Sequence, residues 1–74
     1  MPKFIRTVYG SRYTNTLVNI NHIVSVHKIY NEPELLEIYV ADSCKYHVFI
    51  KDLLEVSDKH NRENIEKILE KQNE

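Results

Sequence analysis

The sequence predicts an α+β domain that is mainly β: a five-stranded antiparallel sheet, or a small open barrel, followed by a C-terminal helix. Three observations carry this reading. Runs rich in β-branched and aromatic residues recur from Phe4 to Ile50, polar turn residues separate them, and amphipathic helical spacing appears only beyond Asn61.

The strands are expected near residues 4–9, 13–20, 23–30, 35–41 and 45–50. Gly10-Ser11-Arg12 breaks the first run, and a three-residue loop there pairs Tyr9 with Tyr13, Thr7 with Asn15 and Ile5 with Leu17, with Phe4 facing Val18 on the other surface. Asn31-Glu32-Pro33-Glu34 has the turn chemistry that ends the third strand. Asp42-Ser43-Cys44 separates the last two strands. Pairing Ala41 with Lys45 sets Val40 opposite Tyr46, Ile38 opposite Val48 and Leu36 opposite Ile50, one continuous apolar face. The opposite face then holds Tyr39 with His47 and Glu37 with Phe49. Asp52 is placed to cap a short turn over Leu53, Leu54 and Val56. A longer helix is expected near 61–72, with Ile65, Ile68 and Leu69 on one stripe and Glu63 and Lys67 paired outward. The whole chain, 1–74, reads as one domain: 1–50 sheet or barrel, 51–74 helical.

Seventy-four residues allow one core and leave folding close to balanced against chain entropy. The lone cysteine, Cys44, has no internal partner for a disulfide, and no Cys or His pair has metal-site spacing. Oligomerisation is the remaining source of stabilisation, so a homo-oligomer is expected. The charged Lys3 and Arg6 interrupt the only apolar stretch near the N-terminus, unlike a signal peptide, and no run reaches membrane-spanning length. With a single free thiol, the expected compartment is the cytoplasm, with no membrane partner.

Catalytic and cofactor chemistry finds little purchase. The only glycine, Gly10, excludes glycine-rich phosphate loops and dinucleotide fingerprints. His22, His27, His47 and His60 are scattered, and His22 and His27, five apart on a strand, point to opposite faces. No catalytic residue, metal ligand or cofactor is assigned, and the chain reads as a non-enzyme.

What remains is surface. Residues 1–31 carry Lys3, Arg6, Arg12 and Lys28 and no acid, while residues 32–74 carry all eleven acids against six bases. The leading reading is a small protein-binding or regulatory module acting through an outward sheet patch of Glu37, Tyr39, Lys45, His47 and Phe49, because adjacent aromatics in water imply a partner or a covering helix. Both explanations of that patch stay open at this stage. One alternative is a nucleic-acid-binding regulator using Lys3, Arg6, Arg12 and Lys28 with nearby tyrosines, although the sequence pI of about 6.4 is low for such a role. Another is a small phage-type inhibitor that docks its acidic half on a basic groove.

The stretch Leu17-Val18-Asn19-Ile20-Asn21-His22-Ile23-Val24-Ser25-Val26 resembles the Val-Asn-x-x-x-Ile signature between two strands of the small flagellar and swarming-motility FlbD-like family. The strands Leu36-Glu37-Ile38-Tyr39-Val40 and Tyr46-His47-Val48-Phe49-Ile50 and the start Lys51-Asp52-Leu53-Leu54-Glu55-Val56 are similar too, so the likeness covers most of residues 4–56. Members carry an Asn-Gly or Ser-Gly turn where this chain has Asp42-Ser43-Cys44, and the helix from Asn61 is an extension. The resemblance implies the fold and a bacterial or phage origin, and implies little about activity. The Leu17–Ile23 segment is also similar to part of LytTR-type DNA-binding domains, which place basic residues just upstream, where this chain offers only Arg12.

Overall fold

The computed structural model describes residues 3–41 and 43–70. Five antiparallel strands form one open sheet: β1 (Phe4–Tyr9), β2 (Arg12–Asn19), β3 (Ile23–Lys28), β4 (Leu35–Val40) and β5 (Lys45–Phe49), in the spatial order β2-β1-β5-β4-β3. Two helices follow, α1 (Ile50–Val56) and α2 (Lys59–Glu70). The predicted fold class is the one observed.

The sheet is strongly coiled, and its connectivity requires this. β2 and β3 are the two edges, yet only a one-turn 3₁₀ helix, Ile20–His22, joins them. Four Cα steps from Asn19 to Ile23 reach at most about 15 Å, whereas the edges of a flat five-stranded sheet lie about 19 Å apart. Within those few residues the chain passes from β1's edge to β4's. Ile20 donates its N–H to the Lys3 carbonyl at 3.0 Å, and the His22 carbonyl accepts from Ala41 at 3.0 Å. Asn19 caps the 3₁₀ turn, its Oδ1 accepting the Asn21 N–H at 2.9 Å.

Two registers differ from expectation. In the first hairpin the loop has two residues, not three: Tyr9 pairs with Arg12 and Val8 with Tyr13. Gly10, at φ 63°, suits the first central position of a type II′ turn, where an L side chain would be strained. Beyond a bulge the register changes to Arg6–Leu17, Ile5–Val18 and Phe4–Asn19. Threonines hold the bulge. The Thr7 and Thr14 hydroxyls lie 2.6 Å apart, Thr14 Oγ1 accepts the Thr16 N–H at 3.0 Å, and Arg6 Nη1 donates to the Thr14 carbonyl at 2.9 Å. The expected Thr7–Asn15 and Ile5–Leu17 pairs are thereby displaced.

In the last hairpin Ile38 pairs with Tyr46, Leu36 with Val48, Glu37 with His47, Tyr39 with Lys45 and Leu35 with Phe49. The shift from expectation is two residues, which leaves every side chain on its predicted face. The turn closes one residue earlier in the chain: Val40, not Ala41, ends the ladder by donating to the Cys44 carbonyl, and Ser43, at φ 68°, donates to the Val40 carbonyl. Asp42, predicted in this turn, lies outside the described residues.

The helical segment also differs in detail. The helix α1 begins directly at the end of β5, with Phe49 at its N-cap position and no side-chain cap, so Asp52 lies inside the first turn rather than before it. It spans seven residues instead of a single short turn. The helix α2 starts two residues earlier than expected because Asp58 caps it, Oδ1 accepting the Asn61 N–H at 2.8 Å. Residues 71–72, expected to extend it, lie outside the described residues.

Parity divides the sheet into two faces. On the inner face Ile5, Val18, Leu36, Ile38 and Val48 pack with Leu53 of α1 and Ile65 of α2 into one core, and Leu36, Ile38 and Val48 are fully buried. Both helices therefore pack on that face, while the first turn of α1 also reaches the edge of the other through Lys51 and Asp52.

Candidate functional site

The outward face lies opposite the helix-packed core; Val8 and Leu35 on it are buried, Glu37, Tyr39, His47 and Phe49 are partly exposed, and the ladder arranges it in rungs. Leu17 pairs with Arg6 across β2 and β1, and Phe49 with Leu35 across β5 and β4. The next rung crosses all five strands: Tyr13, Val8, His47, Glu37 and His27. A third holds Lys45, Tyr39 and Ser25.

Glu37, Tyr39, Lys45, His47 and Phe49, predicted as an outward patch, all lie here, but their partners differ from the prediction. Glu37 sits at the centre of the polar part. His47 Nε2 is 3.3 Å from Glu37 Oε2 and Lys45 Nζ is 3.9 Å from the same oxygen, so the glutamate, not Tyr39, is the partner of His47. Tyr39 instead meets His27 edge to face, ring centroids 5.3 Å apart, while His27 Nε2 lies 3.1 Å from Ser25 Oγ. Phe49 meets Tyr13 edge to face, also at 5.3 Å, with Lys51 Nζ 5.9 Å from its ring centre.

The patch is thus larger than the five predicted residues, and Tyr13 is its key addition. Its hydroxyl donates to Asp52 Oδ2 at 2.7 Å, tying β2 across the sheet to α1. That hydrogen bond is the main cause of a Tyr13 pKa above the ordinary 10.0, with partial desolvation and the charges of Asp52 and Glu55 adding to it. Phe4, Leu17 and Tyr13, each about half exposed, surround Arg6: Phe4 two residues before it on β1, Leu17 opposite it, and Tyr13 opposite Val8. Singly exposed apolar residues are ordinary; several beside an aromatic pair form a candidate contact surface.

The second predicted set, Lys3, Arg6, Arg12 and Lys28, is not gathered on one surface. Arg6 projects outward, Arg12 pairs with Tyr9 beside the turn, and Lys28 pairs with Leu36 and so shares the parity of the inner face. Lys3 precedes β1. Among the described residues no group of three or more His, Cys, Asp or Glu is placed to hold a metal ion, and no buried side-chain polar atom lacks a partner. Cys44 is exposed. Among the described residues no helix is long and apolar enough to cross a membrane.

Compared with known proteins, the chain matches no family model, curated protein or solved structure at a significant level.

Proposed function

We propose that this chain is a small non-enzymatic protein-binding or regulatory module, of bacterial or phage origin and cytoplasmic, that works through the outward face of its sheet and forms a homo-oligomer. The observation that supports it is the partly exposed outward face, where the Tyr13–Phe49 and His27–Tyr39 ring pairs flank the Glu37 carboxylate beside Lys45 and His47. Ring pairs that already pack against each other have less side-chain freedom to lose on association.

The alternatives have weaker support. Nucleic-acid binding needs bases on one surface, and the four candidates are divided between parities. The acidic-half inhibitor needs a one-signed surface, whereas α2 interleaves Glu63, Glu66 and Glu70 with Lys59, Arg62 and Lys67.

Two measurements test the proposal. Sedimentation at micromolar concentration should report an oligomer that Phe49→Ser or Tyr39→Ser loosens. Affinity capture from bacterial lysate should recover a protein with the wild-type chain and lose it with the same variants. A strict monomer with no variant-sensitive partner would refute the reading.

A further inference from the structure

On the side of the sheet opposite the proposed face, a cleft of about 280 Å³ runs between β3 and α2. Its floor is apolar, with Leu53 and Ile65 buried and Ile68 partly so, and its helix-side rim carries the amides of Asn61 and Asn64. Residues Ile23–Val26 form the other wall, and Asn21 and Ser57 complete its polar lining. None of the residues that line it is charged, in a chain of which 28% is charged. A charged group entering would lose water with no counter-ion to meet it, so the cleft selects for neutral occupants.

The β3 wall supplies backbone. The Val40 N–H points to the Cys44 carbonyl, on the β5 side. Because backbone groups alternate sides along a strand, Tyr39 and Glu37 turn theirs toward β3 and meet Ser25 and His27. Val26, between those two, therefore aims its N–H and C=O away from β4. β3 is the last strand in the order, and among the described residues no further ladder adjoins it. Val24, 70% exposed beside the bulge at the start of β3, leaves that edge accessible. An open strand edge facing a helix across an apolar cleft is the geometry in which an extended peptide adds as another strand.

We infer that this cleft is a second binding site, and that it takes an extended, uncharged peptide segment of another protein. The segment adds to the β3 edge through the backbone of Val26 and seats an apolar side chain on Leu53, Ile65 and Ile68. The volume equals that of about nine liquid waters at roughly 30 Å³ each, enough for one large side chain and its neighbouring backbone.

The test is to pan a displayed random decapeptide library on the immobilised full-length chain and resynthesise what is enriched. Two variants probe the two halves of the site. Ile68→Lys places a charge in the wall at a partly exposed position. Val26→Pro removes the outward N–H without taking a donor from the β4 ladder. Circular dichroism and thermal melting establish that both still fold. The expected result is a consensus of uncharged residues with an apolar anchor, whose affinity falls about tenfold or more in each variant, a loss equivalent to about 1.4 kcal/mol. A charged consensus, binding unchanged by either variant, or no enrichment above the bare support would overturn the inference. Self-association of the chain alone that Val26→Pro abolishes would also overturn it, since the occupant would then be a second copy. Because the outward face is untouched by both variants, these outcomes are separate from those of the proposed function.

Discussion

Ile38 and Tyr39 are neighbours in sequence on opposite faces of β4, and replacing each by alanine should separate core from surface by a wide margin. Ile38 is fully buried against the helices, so Ile38→Ala removes its transfer energy and leaves a cavity, a loss of about 2–5 kcal/mol. A domain of 74 residues has a total stability of about 4–11 kcal/mol at the usual 0.05–0.15 kcal/mol per residue. One methyl-rich side chain thus accounts for a large share of the fold. Tyr39 is partly exposed, and its resolved neighbour is the His27 ring at 5.3 Å, a contact of about 0.5–1.5 kcal/mol. Urea denaturation of both variants, read by far-ultraviolet circular dichroism, gives the two losses directly. At about 4–8 °C per kcal/mol for a domain of this size, Ile38→Ala should also melt at least about 8 °C below wild type. A Tyr39→Ala loss equal to or above that of Ile38→Ala would refute the assignment of inner and outer faces.

Other expectations follow from single contacts. Spectrophotometric titration should find one tyrosine ionising above the ordinary 10.0, and Asp52→Asn should bring it down, because the Asp52 hydrogen bond favours the neutral phenol. A raised folded-state value means the contribution is complete below the unfolded pKa of Tyr13 and is lost as pH rises through the folded one. The stability difference between wild type and Tyr13→Phe should therefore shrink in strong alkali. Asp58→Ala should cost about 1 kcal/mol in urea denaturation and fray the start of α2, since Asp58 accepts the Asn61 N–H. Gly10→Ala should cost about 1–2 kcal/mol from the positive φ alone, a Cβ there meeting nothing within 4 Å, and Gly10→Asn should cost less.

Strand positions and faces were legible in the sequence because both depend on local chemistry. β-branched runs mark the strands, and period two sorts Leu36, Ile38, Tyr46 and Val48 inward from Tyr39, His47 and Phe49. Register was not legible, since an even shift preserves parity and only turn geometry decides it. A turn closed by Val40 and Cys44, with Ser43 at positive φ, shifted the centre of one hairpin by a residue, and Gly10 tightened the other. The start of α1 at Ile50, ahead of Asp52, has no signal in the sequence because no side chain caps it. The outward patch was half readable for the same reasons. Its members on β4 and β5 come from one hairpin and His27 joins through the β3–β4 register, but Tyr13 reaches it only because the N-terminal strand β1 pairs with β5. Long-range pairing of that kind leaves no local signal in composition or spacing.

The central claim, that the outward sheet face engages partners, is tested most directly by site-specific photocrosslinking. It separates engagement through that face from engagement through the solvent side of α2, away from the cleft it forms with β3. A benzophenone amino acid is placed in turn at Leu17 and Tyr39 on the outward face and at Glu66, exposed on α2, and each chain is irradiated both purified and in bacterial lysate. Adducts, to a second copy or to another protein, are expected from positions 17 and 39 and none from 66. Adducts from 66 with none from 17 and 39 would contradict it.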